Sequence, residues 1–241
     1  NNSDLYKTTL DNLDNTYIYE LVTSAAYGAV QDFEENILSD FYQRMRDSIR
    51  TVNRKHILFL EHNYFCNLGI PSGIKLPLDN AGKPDALCAY APHAYDLVTD
   101  TDDALNPGFN RLKVTFKHIA EKGQQLNVPV IIGEWGAYYL GSKDNTKPAE
   151  FVISNIEQIL AGQTYWAYWD KIDTQPYFTK TISRIYPMAI HGSLYGYSND
   201  FKTGHFRCEW AENDKKSSTI VYIPDLNKIN KKEIELIPKS D

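Results

Sequence analysis

The sequence predicts an α/β fold of parallel β/α units, followed by a small antiparallel β domain. Amphipathic helices alternate with short apolar strands that are too continuous to be half exposed, which is typical of a parallel sheet covered by helices. Four of these strands each end in polar or aromatic residues. After about residue 183, apolar and polar residues alternate between Asn-Asp and Thr-Gly turn signals, which is typical of short antiparallel strands.

The helices are predicted from the spacing of apolar residues. The first 35 residues are polar and rich in tyrosine, and we expect irregular or loosely helical structure there. From Ile37 to Val52, apolar residues recur at steps of three and four, which predicts an amphipathic helix. Further helices are predicted over residues 107–126, with Gly123 as a possible stop, and over Ala149–Leu160.

Four strands are predicted among the helices, and their ends carry the candidate functional residues. The side chains at these ends are Glu61, then His93 and Tyr95, then Glu134, then Trp166 and Trp169. Because the carboxyl ends of parallel strands meet at one edge of a sheet, we expect these side chains to line one cleft. The run VPVIIGEWG is the most informative, since a buried strand that ends in Glu134 beside an aromatic ring and glycines is how a parallel barrel presents a carboxylate to a sugar.

Composition narrows the class of partner. The net charge of −6 argues against a nucleic-acid partner, because phosphate binding needs a basic face. The three cysteines lie far apart, so a structural zinc site is not expected. No apolar run reaches the length of about 18 residues that spans a bilayer. Any signal peptide is expected to lie outside this chain, and a secreted or extracytoplasmic location is favoured.

Several motifs together resemble family 5 glycoside hydrolases, which are retaining (β/α)8 enzymes. GEWG at 133–136, APHAY at 91–95 and TYWAYW at 164–169 are similar to the seventh, sixth and eighth strands of that barrel. The stretches at 41–61 and 184–192 resemble the endoglycoceramidase branch. The resemblance implies that residues 1–182 are the C-terminal half of a (β/α)8 barrel and that residues 183–241 form a β-sandwich-like domain.

The same resemblance implies roles for two residues in chemistry. Glu134 matches the nucleophile, which attacks the anomeric carbon and forms a glycosyl-enzyme. Tyr95 matches the tyrosine that orients this carboxylate by donating a hydrogen bond.

Five further residues are expected to contact the substrate. His93 matches the histidine that lines the subsite for the scissile sugar, with a core histidine as the alternative. Trp169, or Trp166 if the register differs, matches the tryptophan that forms the sugar platform, with plain packing as the alternative. Glu61 and Trp135 are expected to lie in the same cleft.

The expected acid is absent from the sequence. In family 5 the acid is the Glu of an Asn-Glu dipeptide, and this chain contains no such dipeptide. We therefore expect strands one to four and the acid to lie before residue 1, with that half of the barrel as a partner. The alternatives are a half-barrel that has lost catalysis, or Glu61 in the role of the acid.

The function expected from this resemblance is a retaining β-glycosidase that needs no metal or cofactor and cleaves a glycolipid or an oligosaccharide. A β-glucan hydrolase of the same family is one alternative, and a noncatalytic protein that binds carbohydrate or glycolipid is another. A membrane-surface substrate fits the glycolipid hypothesis. The isolated chain is expected to be inactive.

Overall fold

The structure, a computed structural model, describes residues 2–104, 106–138, 145–213, 217–230 and 234–237. Its α-helices are α1 (Asn2–Leu13), α2 (Thr16–Ser24), α3 (Tyr27–Phe33), α4 (Ser39–Val52), α5 (Phe109–Leu126) and α6 (Thr146–Gln158). Its strands are β1 (Leu58–Leu60), β2 (Cys88–Tyr90), β3 (His93–Ala94), β4 (Ile131–Ile132), β5 (Glu134–Trp135), β6 (Gly162–Gln163), β7 (Tyr186–Ala189), β8 (Gly192–Asp200), β9 (His205–Glu212) and β10 (Ile220–Tyr222). Within these residues, no helix is long and apolar enough to cross a membrane.

The first six strands occupy four neighbouring positions of a parallel sheet. In sequence order these positions are β1, then β2 with β3, then β4 with β5, then β6. β1 pairs with β2, β3 with β5, and β4 with β6. A parallel bridge from Tyr90 to Val130 joins β2 to the run that contains β4 and β5, and another joins Gly136 to Trp166. The parallel β/α units and the partial barrel that the sequence predicts are therefore confirmed.

The hydrophobic core lies between this sheet and the helices α5 and α6. Its buried side chains include Tyr90, Leu112, Phe116, Ile119, Ile132, Trp135, Val152, Ile153 and Ile156. The prediction that Gly123 stops a helix is wrong, because α5 continues to Leu126. A Cβ at Gly123 would lie 2.5 Å from Val130 Cγ2, so this glycine permits close packing of helix on strand. The helix ends at Asn127, which adopts the left-handed conformation with φ of 52°.

The first 35 residues are more regular than their composition predicts. They form α1, α2 and α3 and the start of a π-helical turn, Glu34–Leu38, which leads into α4. Asn15 caps α2 by accepting hydrogen bonds from the N–H groups of Tyr17 and Ile18. Such local capping sets helix boundaries in a polar segment that carries little apolar periodicity.

The helix predicted from Ile37 onward is present, but its apolar positions face solvent. Ile37, Phe41 and Met45 are 59%, 44% and 42% exposed, and they recur at steps of four along one face. We call these three residues the apolar stripe. The buried positions of α4 are instead polar and include Arg46 and Arg50. An apolar row of this kind marks a face that packs against another element.

A buried ion pair network replaces apolar packing on the inner side of α4. Asp85 lies 2.7 Å from Arg46 Nε and 2.9 Å from Arg50 Nε, and all three side chains are nearly inaccessible. Hydrogen bonds from Arg50 hold the pKa of Asp85 well below its usual range, although burial opposes them, and Arg46 lowers it further. The network attaches α4 to the segment that leads into β2.

The small antiparallel domain is also present, with β8 paired to β9 and β7 paired to β10. Glu157 of α6 ties this domain to the sheet and its helices. Its carboxylate accepts a hydrogen bond of 2.7 Å from Arg184 Nε and bonds of 3.0 and 2.8 Å from the main-chain and side-chain nitrogens of Asn199. Because Glu157 and Arg184 are both buried, separating them would leave unpaired charges inside the protein.

Replacement of Asp85 tests the network under α4. Asp85→Asn leaves two buried arginines without their carboxylate, so we expect it to cost about 3 to 5 kcal/mol in urea unfolding followed by circular dichroism. Asp47→Asn is the control, because Asp47 pairs with the same Arg46 but its side chain is 55% exposed, and its loss should cost far less than that of Asp85.

The contribution of Asp85 to the free energy of unfolding depends on pH. Because the pKa of Asp85 is lowered in the folded state, its stabilisation is fully present above the unfolded value of about 3.9 and is lost as the pH falls below it. The difference between wild type and Asp85→Asn should therefore be largest above about pH 5 and shrink below about pH 4. Equal costs for Asp85→Asn and Asp47→Asn at neutral pH would contradict the network.

Candidate active site

The polar ends of the parallel strands meet as the sequence predicts. His93 of β3 and Glu134 of β5 are direct partners in the parallel register, so their side chains leave adjacent strands at the same level. Glu61 directly follows β1, and Tyr95 directly follows β3. These four residues form what we call the carboxylate cleft.

One oxygen of Glu134 contacts both Tyr95 and His93. The Tyr95 hydroxyl donates a hydrogen bond to Glu134 Oε2 at 3.2 Å, and His93 Nδ1 lies at an ion-pair distance of 3.3 Å from the same atom. Glu134 is partly exposed, with 30% of its side chain accessible. A carboxylate that accepts a hydrogen bond from a tyrosine, lies beside an imidazole and is open to solvent is suited to act as an oriented anion or a nucleophile.

His93 connects Glu134 to a second carboxyl group. Its Nδ1 atom also lies 3.2 Å from Glu61 Oε1, and the Glu61 side chain is 49% exposed. Burial raises the pKa of Glu61, His93 lowers it, and the negative charge of Glu134 raises it again. The imidazole fits here because Gly133 has no side chain, since a Cβ would lie 3.1 Å from His93 Cδ2.

A buried histidine, His62, is linked to the cleft through hydrogen bonds. Burial lowers the pKa of His62 to about 3, so this imidazole is neutral at ordinary pH. Its Nε2 lies 2.9 Å from Asn67 Oδ1, an acceptor, and its Nδ1 lies 2.8 Å from the Tyr90 hydroxyl. Nε2 therefore carries the hydrogen and Nδ1 accepts one from Tyr90. The main-chain carbonyl of Asn67 in turn accepts a hydrogen bond of 3.1 Å from the main-chain N–H of Tyr95.

A second buried group holds the loop that follows Glu61. The Glu34 carboxylate is inaccessible to solvent, and it accepts hydrogen bonds from the main-chain N–H groups of Asn63 and Gly73 and from the Ser72 hydroxyl. This buried anion thereby fixes both ends of the loop at 63–73. The sequence gives no pattern that distinguishes Glu34 or His62 from an exposed polar residue, because their partners are distant in the chain.

The three tryptophans expected at the cleft lie in different environments. Trp135 is fully buried, packs edge-on against Tyr165 at 5.3 Å, and donates its indole N–H to Gln163. Trp169 is half-buried against the core, and its indole N–H donates to the Tyr177 hydroxyl at 3.2 Å. Trp166 is 49% exposed, and its main chain is bonded to that of Trp135.

The position of Trp135 has a geometric cause. Side chains alternate between the faces of a strand, so Trp135 and its neighbour Glu134 leave β5 on opposite faces. The Trp135 ring packs against Tyr138 and Tyr165 in the core, whereas Glu134 contacts Tyr95. The sequence predicts a substrate contact for Trp135, and the structure places its ring in the core.

The described residues contain no group of three or more His, Cys, Asp and Glu side chains that could hold a metal ion. The carboxylate cleft instead offers an oriented carboxylate, a hydroxyl donor and a second carboxyl group whose pKa is raised. These are the components of acid–base and nucleophilic chemistry.

Comparison with protein-family models decides the family. Residues 19–172 match the cellulase model of glycosyl hydrolase family 5. The chain belongs to glycosyl hydrolase family 5. Residues 184–239 match the C-terminal domain model of the same family. The resemblance noted in the sequence is thereby confirmed, and the family is one of O-glycosyl hydrolases. A search of curated proteins finds no match.

Solved structures similar to this family 5 chain include endo-glycoceramidase II from Rhodococcus sp. Its lactosyl-enzyme intermediate is 28% identical with a TM-score of 0.58, and the match covers 70% of this chain and 40% of that one. Its complex with ganglioside GM3 is 25% identical with a TM-score of 0.64, and covers 80% and 46%. This family 5 chain therefore spans less than half the length of the enzyme it matches.

Substitutions of Trp135 and Trp166 test which of these two rings is buried in the family 5 fold. Trp135→Phe should cost about 2 to 4 kcal/mol in urea unfolding, because it opens a cavity and leaves Gln163 without its donor. Trp166→Phe should cost less than about 1 kcal/mol, because that ring is half exposed. The reverse order of the two costs would show that Trp135 faces the cleft.

Proposed function

We propose that the chain carries the nucleophile of a retaining β-glycosidase that acts on a glycolipid or an oligosaccharide. The observation that carries this proposal is the Glu134 carboxylate at the end of a parallel strand in a family 5 chain, with the Tyr95 hydroxyl donating to Oε2 and His93 Nδ1 3.3 Å from the same atom. These contacts stabilise the ionised form and hold the group still, which a nucleophile requires.

The reaction follows from the arrangement of donors. Among the described residues, no hydrogen bond to Glu134 Oε1 is found, so Oε1 is the oxygen proposed to attack the anomeric carbon. The bond from that carbon to the leaving oxygen breaks as the bond to Oε1 forms, and an acid protonates the leaving oxygen. Water then attacks the glycosyl-enzyme, releases the sugar and restores the carboxylate. No cofactor takes part in this proposal.

The acid is proposed to come from a polypeptide segment that completes the barrel. Four strand positions cannot close a parallel barrel, which needs eight strands. The sequence contains no Asn-Glu dipeptide, and the apolar stripe of α4 is exposed where a neighbouring helix would cover it. A completing half would cover this face and the outer edges of β1 and β6, and it would carry the second carboxyl group.

The substrate is proposed to be a glycolipid with a β-linked sugar. The family 5 match is supported by structures of endo-glycoceramidase II, including a lactosyl-enzyme intermediate and a ganglioside GM3 complex. Trp166 is the favoured sugar platform, because its ring is half exposed and it lies beside the strand of Glu134, whereas Trp169 packs on the core. An oligosaccharide substrate shares the sugar-binding part of this site.

Trapping of the intermediate tests the nucleophile. A 2-deoxy-2-fluoro glycoside with a good leaving group should label Glu134 in an active enzyme that contains this chain, because the fluorine slows turnover of the glycosyl-enzyme. Mass mapping of the labelled peptide identifies the residue. Glu134→Gln keeps the shape without the charge and should lower kcat/KM on the order of a thousandfold or more.

Two outcomes would contradict the proposal. The first is an adduct on a residue other than Glu134. The second is robust hydrolysis of an unactivated glycolipid by the 241-residue chain alone, since general acid catalysis contributes about a hundred- to ten-thousandfold and the proposed acid lies elsewhere. Binding of glycolipid by the completed protein without any hydrolysis would favour a noncatalytic binding function.

The Tyr95 hydroxyl is tested by removing one atom. Tyr95→Phe deletes the donor to Glu134 and should lower kcat/KM about ten- to a hundredfold, because a hydrogen bond to a charged group contributes about 1.5 to 3 kcal/mol. Tyr195→Phe is the control, since Tyr195 is an exposed tyrosine of β8 and its loss should leave the rate unchanged. Wild-type kinetics for a folded Tyr95→Phe variant would assign Tyr95 to packing.

A further inference from the structure

His93 lies between the two carboxyl groups of the carboxylate cleft. Its Nδ1 atom lies 3.2 Å from Glu61 Oε1 and 3.3 Å from Glu134 Oε2. Both oxygens contact the same nitrogen, so a charge on one carboxyl group acts on the other directly and through this imidazole.

We propose that Glu61 is a positioning residue that acts on Glu134 through His93, whose Nδ1 lies against both carboxyl groups, and by placing a second negative charge beside the nucleophile. This inference rests on the proposed role of Glu134 as the nucleophile. It assigns Glu61 a role toward the nucleophile rather than toward the leaving group.

The surroundings of Glu61 raise its pKa, so this carboxyl group loses its proton at a higher pH than an ordinary glutamate does. Among the residues that the structure describes, the ionisable groups that face it are Tyr42 from α4, His93 from β3 and Glu134 from β5. Tyr42 donates its hydroxyl hydrogen to the Glu61 carbonyl, and burial raises the pKa of Tyr42 to about 12, so Tyr42 stays neutral. Burial of Glu61 and the nearby charge of Glu134 raise the pKa of Glu61, whereas His93 lowers it.

The ionisation of Glu61 changes the reactivity of Glu134 in one direction. When Glu61 is protonated, Glu134 is the only charged carboxylate beside His93 and is strongly stabilised. When Glu61 ionises, Glu134 faces a like charge and shares the imidazole with it, so its carboxylate becomes more reactive. The added negative charge also stabilises the positive charge that develops on the sugar. The rate should therefore rise as Glu61 loses its proton.

A titration of the 241-residue chain tests the coupling without any activity. In carboxyl-labelled glutamate NMR, the Glu61 signal should titrate above the ordinary value of about 4.3. In Glu134→Gln the like charge is absent, and the Glu61 midpoint should fall by about half a pH unit or more. An ordinary midpoint that Glu134→Gln leaves unchanged would overturn the proposal.

Kinetics of an active enzyme that contains the chain test the consequence. Glu61→Gln keeps an oxygen beside His93 but has no charge. It should lower the plateau of kcat/KM about three- to tenfold and shift the acidic limb to lower pH. A purely structural loss would lower the rate at every pH and leave the limb in place, and that result would overturn the proposal. Glu35→Gln is the matched control, because Glu35 is 46% exposed, pairs with Lys75 and should leave the profile unchanged.

The two proposals fail in different ways. A fluoroglycoside adduct on another residue removes Glu134 as the nucleophile, whereas the NMR coupling between Glu61 and Glu134 is measured without substrate. An adduct on Glu134 together with an unaltered pH profile in Glu61→Gln would keep the nucleophile and overturn the role of Glu61.

Discussion

The parallel pairing of β3 with β5 sets His93 opposite Glu134, and the polar contacts of the carboxylate cleft depend on that register. Because side chains alternate between the faces of a strand, a slip of one residue would move Glu134 to the opposite face. The Tyr95 and His93 contacts to Oε2 would then be lost together. Gly133 supports the register, since its missing Cβ leaves the space that the His93 ring occupies.

Buried anions hold the scaffold around this register. Glu34 fixes the loop that follows Glu61, Asp85 attaches α4 to the segment before β2, and Glu157 attaches the small antiparallel domain. Each accepts several hydrogen bonds, which offsets the cost of removing its charge from water. An arrangement of the loops that broke these bonds would leave a buried charge without partners, so the groups stabilise the arrangement observed. The accuracy of the cleft therefore depends on charges that lie outside it.

The sequence predicts the parts of this fold that depend on repeated patterns. Apolar periodicity gave the helices and the parallel strands, and the polar strand ends gave Glu61, His93, Tyr95 and Glu134. Single contacts between distant residues are not visible in such patterns, so the buried roles of Glu34 and His62 were missed. The burial of Trp135 was missed for the same reason, because it depends on packing against Tyr138 and Tyr165.

The geometry of Glu61 also bears on where an acid can lie. In a retaining site the two carboxyl groups stand about 5 to 5.5 Å apart, with the sugar carbon and the leaving oxygen between them. The space between Glu61 and Glu134 is instead occupied by His93 Nδ1, which contacts both. Because the His93 contact is made with Oε2, the other oxygen of Glu134 is the one that the proposed reaction leaves to the sugar carbon. The acid of that reaction is then a group other than Glu61, which is why the proposal assigns it to a completing segment of the barrel.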